Sequence, residues 1–137
     1  GLTALWFAGA FRDKALKIVG DGNNRWTMIH ADDLAEGYVR LVESGLHGEV
    51  FNFTDRSRFT VGEMARAAAD AAGYTGSIGL IPVEEAAQTM GDMAECLALD
   101  QHVDSRKAVR RLGWQPRFGG FADDAATYFE AWRAHHS

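Results

Sequence analysis

The sequence predicts an α/β fold. Short runs of strand-like composition, "KIV", "GEVFNFT" and "SIGLI", alternate with longer segments whose apolar residues recur at helical spacing. Capping residues and glycines bound several of the helical segments. The chain has 137 residues, 47% of them hydrophobic, and contains no repeat or convincing linker. Residues 1–137 are therefore expected to form a single α/β unit.

The first part of the chain is predicted to contain two helices, with a strand and an extended segment between them. The first helix covers residues 2–16, and "KIV" forms a short strand after it. "GDGNN" at 20–24 forms a turn, which is followed by an extended segment over 25–31. Asp32 or Asp33 can cap the next helix by accepting its first free amide hydrogens. The apolar residues that share one face of this helix are Leu34, Ala35, Tyr38, Leu41 and Val42.

The rest of the chain continues the alternation. After the strand-like "GEVFNFT" at 48–54, Thr60 and Glu63 have the spacing of a capping box, which predicts an alanine-rich helix ending at Gly73. "SIGLI" predicts a strand, and Pro82 suits the first turn of the helix after it. Two more helices are predicted over 104–112, ended by Gly113, and over 121–135. The residues expected to face inward from the last helix are Ala125, Tyr128, Phe129 and Trp132.

Composition excludes several classes of partner. The chain has 19 acidic and 14 basic residues, a formal net charge of -5, so it has no basic field that would attract nucleic acid or an anionic membrane. No apolar run is long enough to span a bilayer, and the N-terminal residues do not resemble a signal peptide. Cys96 is the single cysteine, which excludes an internal disulfide and favours a reducing, cytoplasmic location. Cys96 itself is expected to be a small core residue rather than a nucleophile.

Two motifs carry a resemblance to a known family. "GDGNNRWTMIHADDLA" is followed about 70 residues later by "DSRKAVRRLGWQP", with "TVGEMARAAADAAG" between them. In this order the motifs resemble the C-terminal part of the extended short-chain dehydrogenase/reductases, the NAD-dependent epimerase/dehydratase family. Two positions depart from the family's pattern, because Ala31 replaces a valine and Arg106 replaces a serine.

The family's cofactor-binding and catalytic motifs are absent from this sequence. A Rossmann phosphate loop places clustered glycines between a strand and a helix. "GYTGSIG" has the glycine spacing of such a loop, but it follows a predicted helix and precedes a predicted strand. The family's Tyr-x-x-x-Lys pair is also missing, because the residues four positions after the three tyrosines are Val42, Ile78 and Trp132.

The resemblance therefore implies the C-terminal half of a Rossmann-like extended reductase, without its N-terminal cofactor-binding half. Full-length relatives use NAD or NADP, whereas this chain alone is expected to bind no cofactor and to contain no catalytic residue. The chain is then the substrate-binding portion of an epimerase/dehydratase-like protein, without redox activity in isolation. An alternative is a stand-alone binding or self-assembly module derived from such an enzyme.

Three residues of the extended segment are the candidate substrate-binding residues. Relatives that act on nucleotide sugars hold the diphosphate with an arginine four residues before the His or Tyr, and here that position is Trp26. In an extended segment Trp26, Met28 and His30 share one side, while Arg25 lies on the other. Residues 67–105 contain seven acids and no lysine or arginine, which disfavours a diphosphate ligand.

Each candidate has a structural alternative. Trp26 can equally be a core aromatic, and His30 a structural histidine bonded to the backbone. The period-two spacing of Asp100, His102 and Asp104 would suit three metal ligands on a strand, but Asp104 is better placed as a helix cap, so no metal site is predicted.

Assembly follows from the implied missing half. Without it, strand edges and apolar helix faces would be left uncovered, which favours association with a second copy. A homo-oligomer is expected, with the Val50–Phe53 strand or the Leu2–Phe11 helix at its interface.

Overall fold

The computed structural model describes residues 2–136 and has the α/β character that the sequence predicts. In those residues two short strands and seven α-helices follow one another, with one π-helical turn after the first helix. The strands are β1 (Leu16–Val19) and β2 (Ile78–Ile81). The helices are α1 (Thr3–Ala8), α2 (Ala31–Glu43), α3 (Val61–Ala71), α4 (Val83–Met90), α5 (Met93–Ala98), α6 (Arg106–Leu112) and α7 (Ala125–His136), and the π-helical turn is Gly9–Asp13.

The elements are distributed over two compact units. The first unit consists of Gly1–Trp26, Phe59–Asp100 and Phe121–Ser137, and contains both strands and five of the helices described. The second unit consists of Thr27–Arg58 and Gln101–Gly120, and contains α2 and α6. The single unit that the alternation of elements predicts stays a prediction.

The sheet of the first unit consists of two parallel strands. Leu16 lies opposite Ile78 and Val19 opposite Ile81, which confirms the strands predicted at "KIV" and "SIGLI". Gly20 extends the pairing by donating its N–H to the carbonyl of Ile81 at 2.8 Å. Three of the four residues of β1 are buried, so this strand is part of the core of the first unit.

The predicted capping box begins α3. The Thr60 hydroxyl accepts a hydrogen bond from the Glu63 N–H at 3.1 Å, and the Glu63 carboxylate accepts one from the Thr60 N–H at 2.8 Å. Both free amides are thereby satisfied at the start of the helix. The residues of α3 that are buried are Val61, Met64, Ala65, Ala68 and Ala69, and the small ones let α1, α7 and β1 approach closely.

Aromatic residues join the first and last helices of the first unit. Phe7 lies 5.8 Å from Phe121, 5.5 Å from Phe129 and 6.1 Å from Trp132, measured between ring centroids. Such tilted and edge-to-face pairs add to the gain from burying apolar area. The predicted inward face of the last helix is confirmed at Ala125 and Phe129, which are buried.

The first helix ends in a tight reversal that requires glycine. The predicted helix over 2–16 is an α-helix as far as Ala8 and a π-helical turn after it. Gly9 accepts a hydrogen bond from the Ala15 N–H at 3.0 Å, and a Cβ at Gly9 would lie 2.5 Å from the Ala15 carbonyl oxygen. Lys14 then takes a left-handed conformation, with φ 51°, that turns the chain into β1.

The α4 and α5 helices form a smaller cluster against the sheet. Ala86 of α4 and Ala94 of α5 pack with Val19 of β1, and Leu97 packs against that cluster. The expectation that Cys96 is a core residue is wrong, because Cys96 is exposed. The inward positions of this short helix are taken by alanine and leucine instead.

The second unit is built around Trp114. The Trp114 side chain is fully buried, its ring lies 4.9 Å from Phe53 in a T-shaped pair, and its indole N–H donates to the Asp33 carbonyl at 2.9 Å. Gly37 of α2 lets Phe53 approach, since a Cβ there would lie 2.6 Å from the ring. The buried residues of α2 are therefore Asp33 and Gly37, and much of its predicted apolar face is not buried: Ala35, Tyr38 and Val42 are exposed.

Two segments predicted to be extended or strand-like form no strand in the structure. Over 25–31, Arg25 forms a single bridge with Thr60, and Met28 accepts one hydrogen bond from the Asp55 N–H at 2.9 Å. The "GEVFNFT" segment pairs with no strand among residues 2–136. A strand needs a continuous ladder of backbone hydrogen bonds, and isolated bonds of this kind do not supply one.

Thr60→Ala tests the capping box. We expect the free energy of unfolding to fall by about 1 kcal/mol, because an amide at the start of α3 loses its partner. Urea denaturation followed by circular dichroism measures the change. Thr127→Ala, at an exposed position inside α7, is the control and should change stability by no more than about 0.5 kcal/mol. Equal losses in the two variants would contradict the assignment.

Candidate functional site

The "GDGNN" turn holds the end of α5 and the residue that follows it. The buried Asn24 side chain donates one hydrogen bond to the Leu97 carbonyl at 2.9 Å and a second to the Leu99 carbonyl at 3.1 Å. A primary amide has two N–H donors, and both are used here. The turn is therefore a fixed support for residues 97–100.

The same turn also receives the start of α3. Gly22 and Asn24 accept hydrogen bonds from the backbone N–H groups of Gly62 and Val61, at 2.9 and 2.8 Å. Gly22 has φ 76°, and a Cβ there would lie 2.7 Å from Ile18. Only glycine meets both conditions without strain. The turn thus joins α3 to the segment 97–100.

Trp26, the first of the candidate substrate-binding residues, lies in the first unit and is half-buried. Its ring stacks on Trp6, with a centroid distance of 5.3 Å and an interplanar angle of 12°. Its indole N–H donates to the Leu97 carbonyl at 2.9 Å. Any ligand contact of Trp26 would therefore be made by its ring, because its only polar hydrogen is already bonded.

Arg25 is paired with an acid of the same unit. The Arg25 N–H donates to Asp100 at 2.8 Å, and the guanidinium lies 3.4 Å from both carboxylate oxygens of Asp100. The arginine nearest to the position of the family's diphosphate clamp is thus already neutralised by a carboxylate.

Met28 and His30, the other two candidates, lie in the second unit. Met28 is half-buried, and its carbonyl accepts the hydrogen bond from Asp55. His30 stacks on Phe118 at 3.7 Å between ring centroids, and its Nδ1 accepts a hydrogen bond from the Asp32 N–H at 3.2 Å. His30 is therefore the cap of α2, and the expectation that Asp32 or Asp33 caps this helix is wrong.

Asp33 has a different and more extensive role. Its carboxylate is fully buried and accepts hydrogen bonds from the backbone N–H groups of Arg117, at 3.0 and 3.1 Å, and Phe118, at 3.1 Å. The Arg117 guanidinium lies 3.6 Å from it. Asp33 thus holds the loop that carries Phe118, the ring against which His30 stacks. In the sequence, the adjacent Asp32 and Asp33 indicate the start of a helix, but they do not indicate that one of the two carboxylates is buried and bonded to a distant loop.

The expectation that Asp104 caps α6 is wrong, because the N-cap of this helix is Ser105, which makes no side-chain capping bond. Asp104 accepts a hydrogen bond from the Arg106 N–H at 2.7 Å, just before α6. A side-chain hydrogen bond from Arg106 lowers the pKa of Asp104. Within residues 2–136, no group of three or more His, Cys, Asp or Glu side chains could hold a metal ion.

The basic face of α6 is paired with Glu49. Lys107 and Arg111 lie 3.1 and 3.0 Å from the Glu49 carboxylate, and Lys107 also lies over the Phe51 ring at 4.5 Å. The hydrogen bond from Lys107, together with the charge of Arg111, lowers the pKa of Glu49. These cations therefore fix the 49–51 segment.

An open depression of about 530 Å³ lies in the second unit. Arg40, one of the two arginines that line it, is bonded to Glu36 at 2.7 Å and to the Gly113 carbonyl at 3.0 Å. The lining contains neither Met28 nor His30, and its residues are Glu36, Val39, Arg40, Glu43, Ser44, Arg111 and Leu112.

No helix within residues 2–136 is both long enough and apolar enough to cross a membrane.

Comparison with known families and proteins gives a consistent result. Residues 2–53 match the model of the NAD dependent epimerase/dehydratase family. An uncharacterized protein of Saccharomyces cerevisiae is 27% identical over 106 residues, which are 77% of this chain and 35% of that protein. UDP-glucose 4-epimerase of Bacillus subtilis is 32% identical over 102 residues, which are 72% of this chain and 27% of the enzyme.

Solved structures share the fold at lower identity. The UDP-glucose 4-epimerase of Thermotoga maritima, solved with UDP-glucose, has a TM-score of 0.79 and 23% identity over 100% of this chain and 40% of its own. The dTDP-glucose 4,6-dehydratase of Bacillus anthracis, solved with NAD, has a TM-score of 0.74 and 20% identity over 98% of this chain and 39% of its own. The chain thus spans well under half of these proteins, and the resemblance indicated by its motifs is confirmed.

Asp33→Ala tests the buried anchor. Two backbone N–H groups would lose their buried acceptor, so we expect stability to fall by about 3 kcal/mol. Urea denaturation measures that loss, and hydrogen exchange should be faster at the Arg117 and Phe118 amides. Asp32→Ala, at the exposed neighbouring position, should cost less than about 1 kcal/mol. Unchanged exchange at residues 117 and 118 would refute the role of Asp33.

Proposed function

Because the chain is related to the NAD-dependent epimerase/dehydratase family, we propose that it is the substrate-binding portion of an NAD(P)-dependent protein of that kind, without redox activity in isolation. The observation that carries the proposal is the overlay of the whole chain on 40% of the Thermotoga maritima epimerase. The remaining part of such a fold would bind NAD or NADP and contain the catalytic residues.

The segments that follow the two strands support the proposal that the cofactor site would be formed by residues outside this chain. Of the two strands described, β1 leads through the "GDGNN" turn into an extended segment, and β2 leads through Pro82 into α4 without a glycine between them. Neither has the glycine-rich entry into a helix that binds a dinucleotide pyrophosphate. Of the "GYTGSIG" glycines, Gly73 and Gly76 lie between α3 and β2, and Gly79 lies within β2. Arg66 donates to the Tyr74 and Gly76 carbonyls at 3.0 Å.

The extended run that contains Trp26, Met28 and His30 is the proposed substrate-contacting segment. This run occupies the sequence position of the segment with which nucleotide-sugar relatives hold their substrate. The arginine that those relatives use for the diphosphate is replaced here by Trp26. Arg25 is neutralised by Asp100, and residues 67–105 contain only acidic charges. We therefore propose a small-molecule substrate without a diphosphate, which would stack on an aromatic ring.

Ligand titration tests this function. UDP-glucose should bind the chain no more tightly than about millimolar, since Trp26 replaces the expected arginine and Arg25 is paired with Asp100. NADH should neither bind tightly nor be oxidised. Isothermal calorimetry and NADH fluorescence measure the two ligands. Trp26→Arg restores the arginine and should bind UDP-glucose more tightly than the native chain. A micromolar dissociation constant for the native chain, or turnover with NADH, would contradict the proposal.

A stand-alone self-assembly module, cytoplasmic and homo-oligomeric, is the second candidate. Exposed apolar side chains favour it, because Leu2, Leu5 and Phe11 on the N-terminal helical segment and Val50 in the second unit are exposed. An isologous contact through one of these surfaces would remove them from water.

Sedimentation velocity tests the second candidate. We expect a dimer or larger oligomer at micromolar concentrations, and either Leu5→Glu or Val50→Glu should dissociate it by placing a charge in the interface. Leu80→Glu, at an exposed position of β2, is the control. A compact monomer that binds no hydrophobic dye would rule out self-assembly.

A further inference from the structure

Two contacts fix the orientation of the Trp26 ring within the first unit. One face of the ring stacks on Trp6, with 5.3 Å between centroids and 12° between the ring planes. Trp6 is buried, and its own ring lies edge-on to Phe121, with the centroids 6.2 Å apart. At the rim of the Trp26 ring, the indole N–H donates to the Leu97 carbonyl at 2.9 Å. The ring is therefore held on one face and at one edge.

The second face of the Trp26 ring is not covered by another ring. Within residues 2–136, Trp6 is the single aromatic side chain that pairs with Trp26, which is only half-buried. The arginine and lysine side chains that lie over rings in that part of the chain lie over other rings. The faces of an indole carry the negative end of its quadrupole, so this second face attracts a positive charge.

The charges on the elements around Trp26 do not oppose a cation. The α1 helix contains no charged residue, and α5 contains Glu95 but no lysine or arginine. Residues 67–105 as a whole contain seven acids and no lysine or arginine. The neighbouring cation, Arg25, lies 3.4 Å from the Asp100 carboxylate and is neutralised by it. A positively charged ligand at this ring would therefore meet no unpaired positive charge on these elements.

The hydrogen bonds already formed here indicate which kind of cation fits. The indole N–H and the Leu97 carbonyl are bonded to each other, and both carboxylate oxygens of Asp100 lie 3.4 Å from the Arg25 guanidinium. A primary ammonium group is strongly hydrated, and it needs hydrogen-bond acceptors to replace the water that it loses. A quaternary ammonium group has no N–H to satisfy and can bind to a ring face without such acceptors.

We propose that the second face of Trp26 binds a quaternary ammonium group, so that the small molecule taken by this segment is an organic cation. This inference rests on the proposed function and names the chemical class of its substrate. The tryptophan that replaces the arginine at this position then does more than remove a diphosphate site. It reverses the charge of the ligand that the position attracts.

Titration of the complete 137-residue chain with choline tests the proposal. The matched neutral compound is 3,3-dimethylbutanol, which has a carbon atom in place of the quaternary nitrogen. We expect choline to bind about fivefold or more tightly than dimethylbutanol, because only choline gains the attraction of a charge to the ring. Choline should also bind more tightly than ethanolamine, its primary ammonium counterpart. Heteronuclear NMR of the tryptophan side chains measures the dissociation constants.

Substitutions locate the binding at the ring. Trp26→Leu removes the ring and should lower the affinity for choline about fivefold or more, whereas Trp26→Phe keeps a weaker ring and should lose less. Trp26→Arg should bind choline more weakly than the native chain while it binds UDP-glucose more tightly. Tyr38→Leu removes an exposed ring of the second unit and is the matched control, which should leave the affinity for choline unchanged.

Each other outcome overturns the choline proposal. These outcomes are failure of the native chain to bind choline, equal binding of choline and dimethylbutanol or of choline and ethanolamine, and equal losses with Trp26→Leu and Tyr38→Leu. The comparison of the three compounds uses the native chain, so it decides the matter even where a Trp26 variant does not fold. The proposed function is judged separately by the UDP-glucose and NADH titrations, so either proposal can fail without the other.

Discussion

The first unit depends on the hydrogen bonds of one buried amide. Asn24 uses both hydrogens of its side chain on the Leu97 and Leu99 carbonyls, and its own carbonyl accepts the N–H of Val61 at the start of α3. An aspartate would place a carboxylate against two carbonyl oxygens, and a leucine would leave both without a donor. The neighbouring residues reinforce the same link, because Arg25 and Trp26 also bond to residues 97–100. The "GDGNN" turn after β1 is therefore the element that joins α3 to residues 97–100.

Local chemistry explains which features the sequence could predict. The capping box at Thr60 and the stop at Gly113 depend on residues within a few positions of one another, and the structure has both. Strand composition alone did not suffice, because "KIV" and "SIGLI" find each other as partners whereas "GEVFNFT" pairs with no strand among residues 2–136. His30 was not recognised as the cap of α2, because histidine is not among the usual N-cap residues. Asp33 was missed for another reason: its partners lie 84 and 85 residues away, and no local pattern reports such a pairing.

The features of the candidate site likewise divide into those that the sequence could predict and those that it could not. That Trp26 replaces an arginine could be seen from the sequence, since it needs only a count of four residues. That Arg25 is neutralised could not, because Asp100 lies 75 residues away. Both observations concern charge, and both remove a cation that a diphosphate would need. Trp26, Met28 and His30 remain predictions as ligand contacts, while the hydrogen bonds of Trp26 and His30 show how the backbone on either side of Met28 is supported.

The apolar face of α2 is the informative disagreement between sequence and structure. A helical stripe of apolar residues normally indicates the side that packs inward, yet here the buried side contains Asp33 and Gly37. The second unit can bury that polar and glycine-containing side because the Asp33 carboxylate is fully bonded and Gly37 admits the Phe53 ring. With that side covered in this way, Ala35, Tyr38, Val39 and Val42 are left exposed on the opposite side of the helix. Helical spacing predicts which residues share a face, but hydrogen bonds and close approaches made by distant residues decide which face the unit buries.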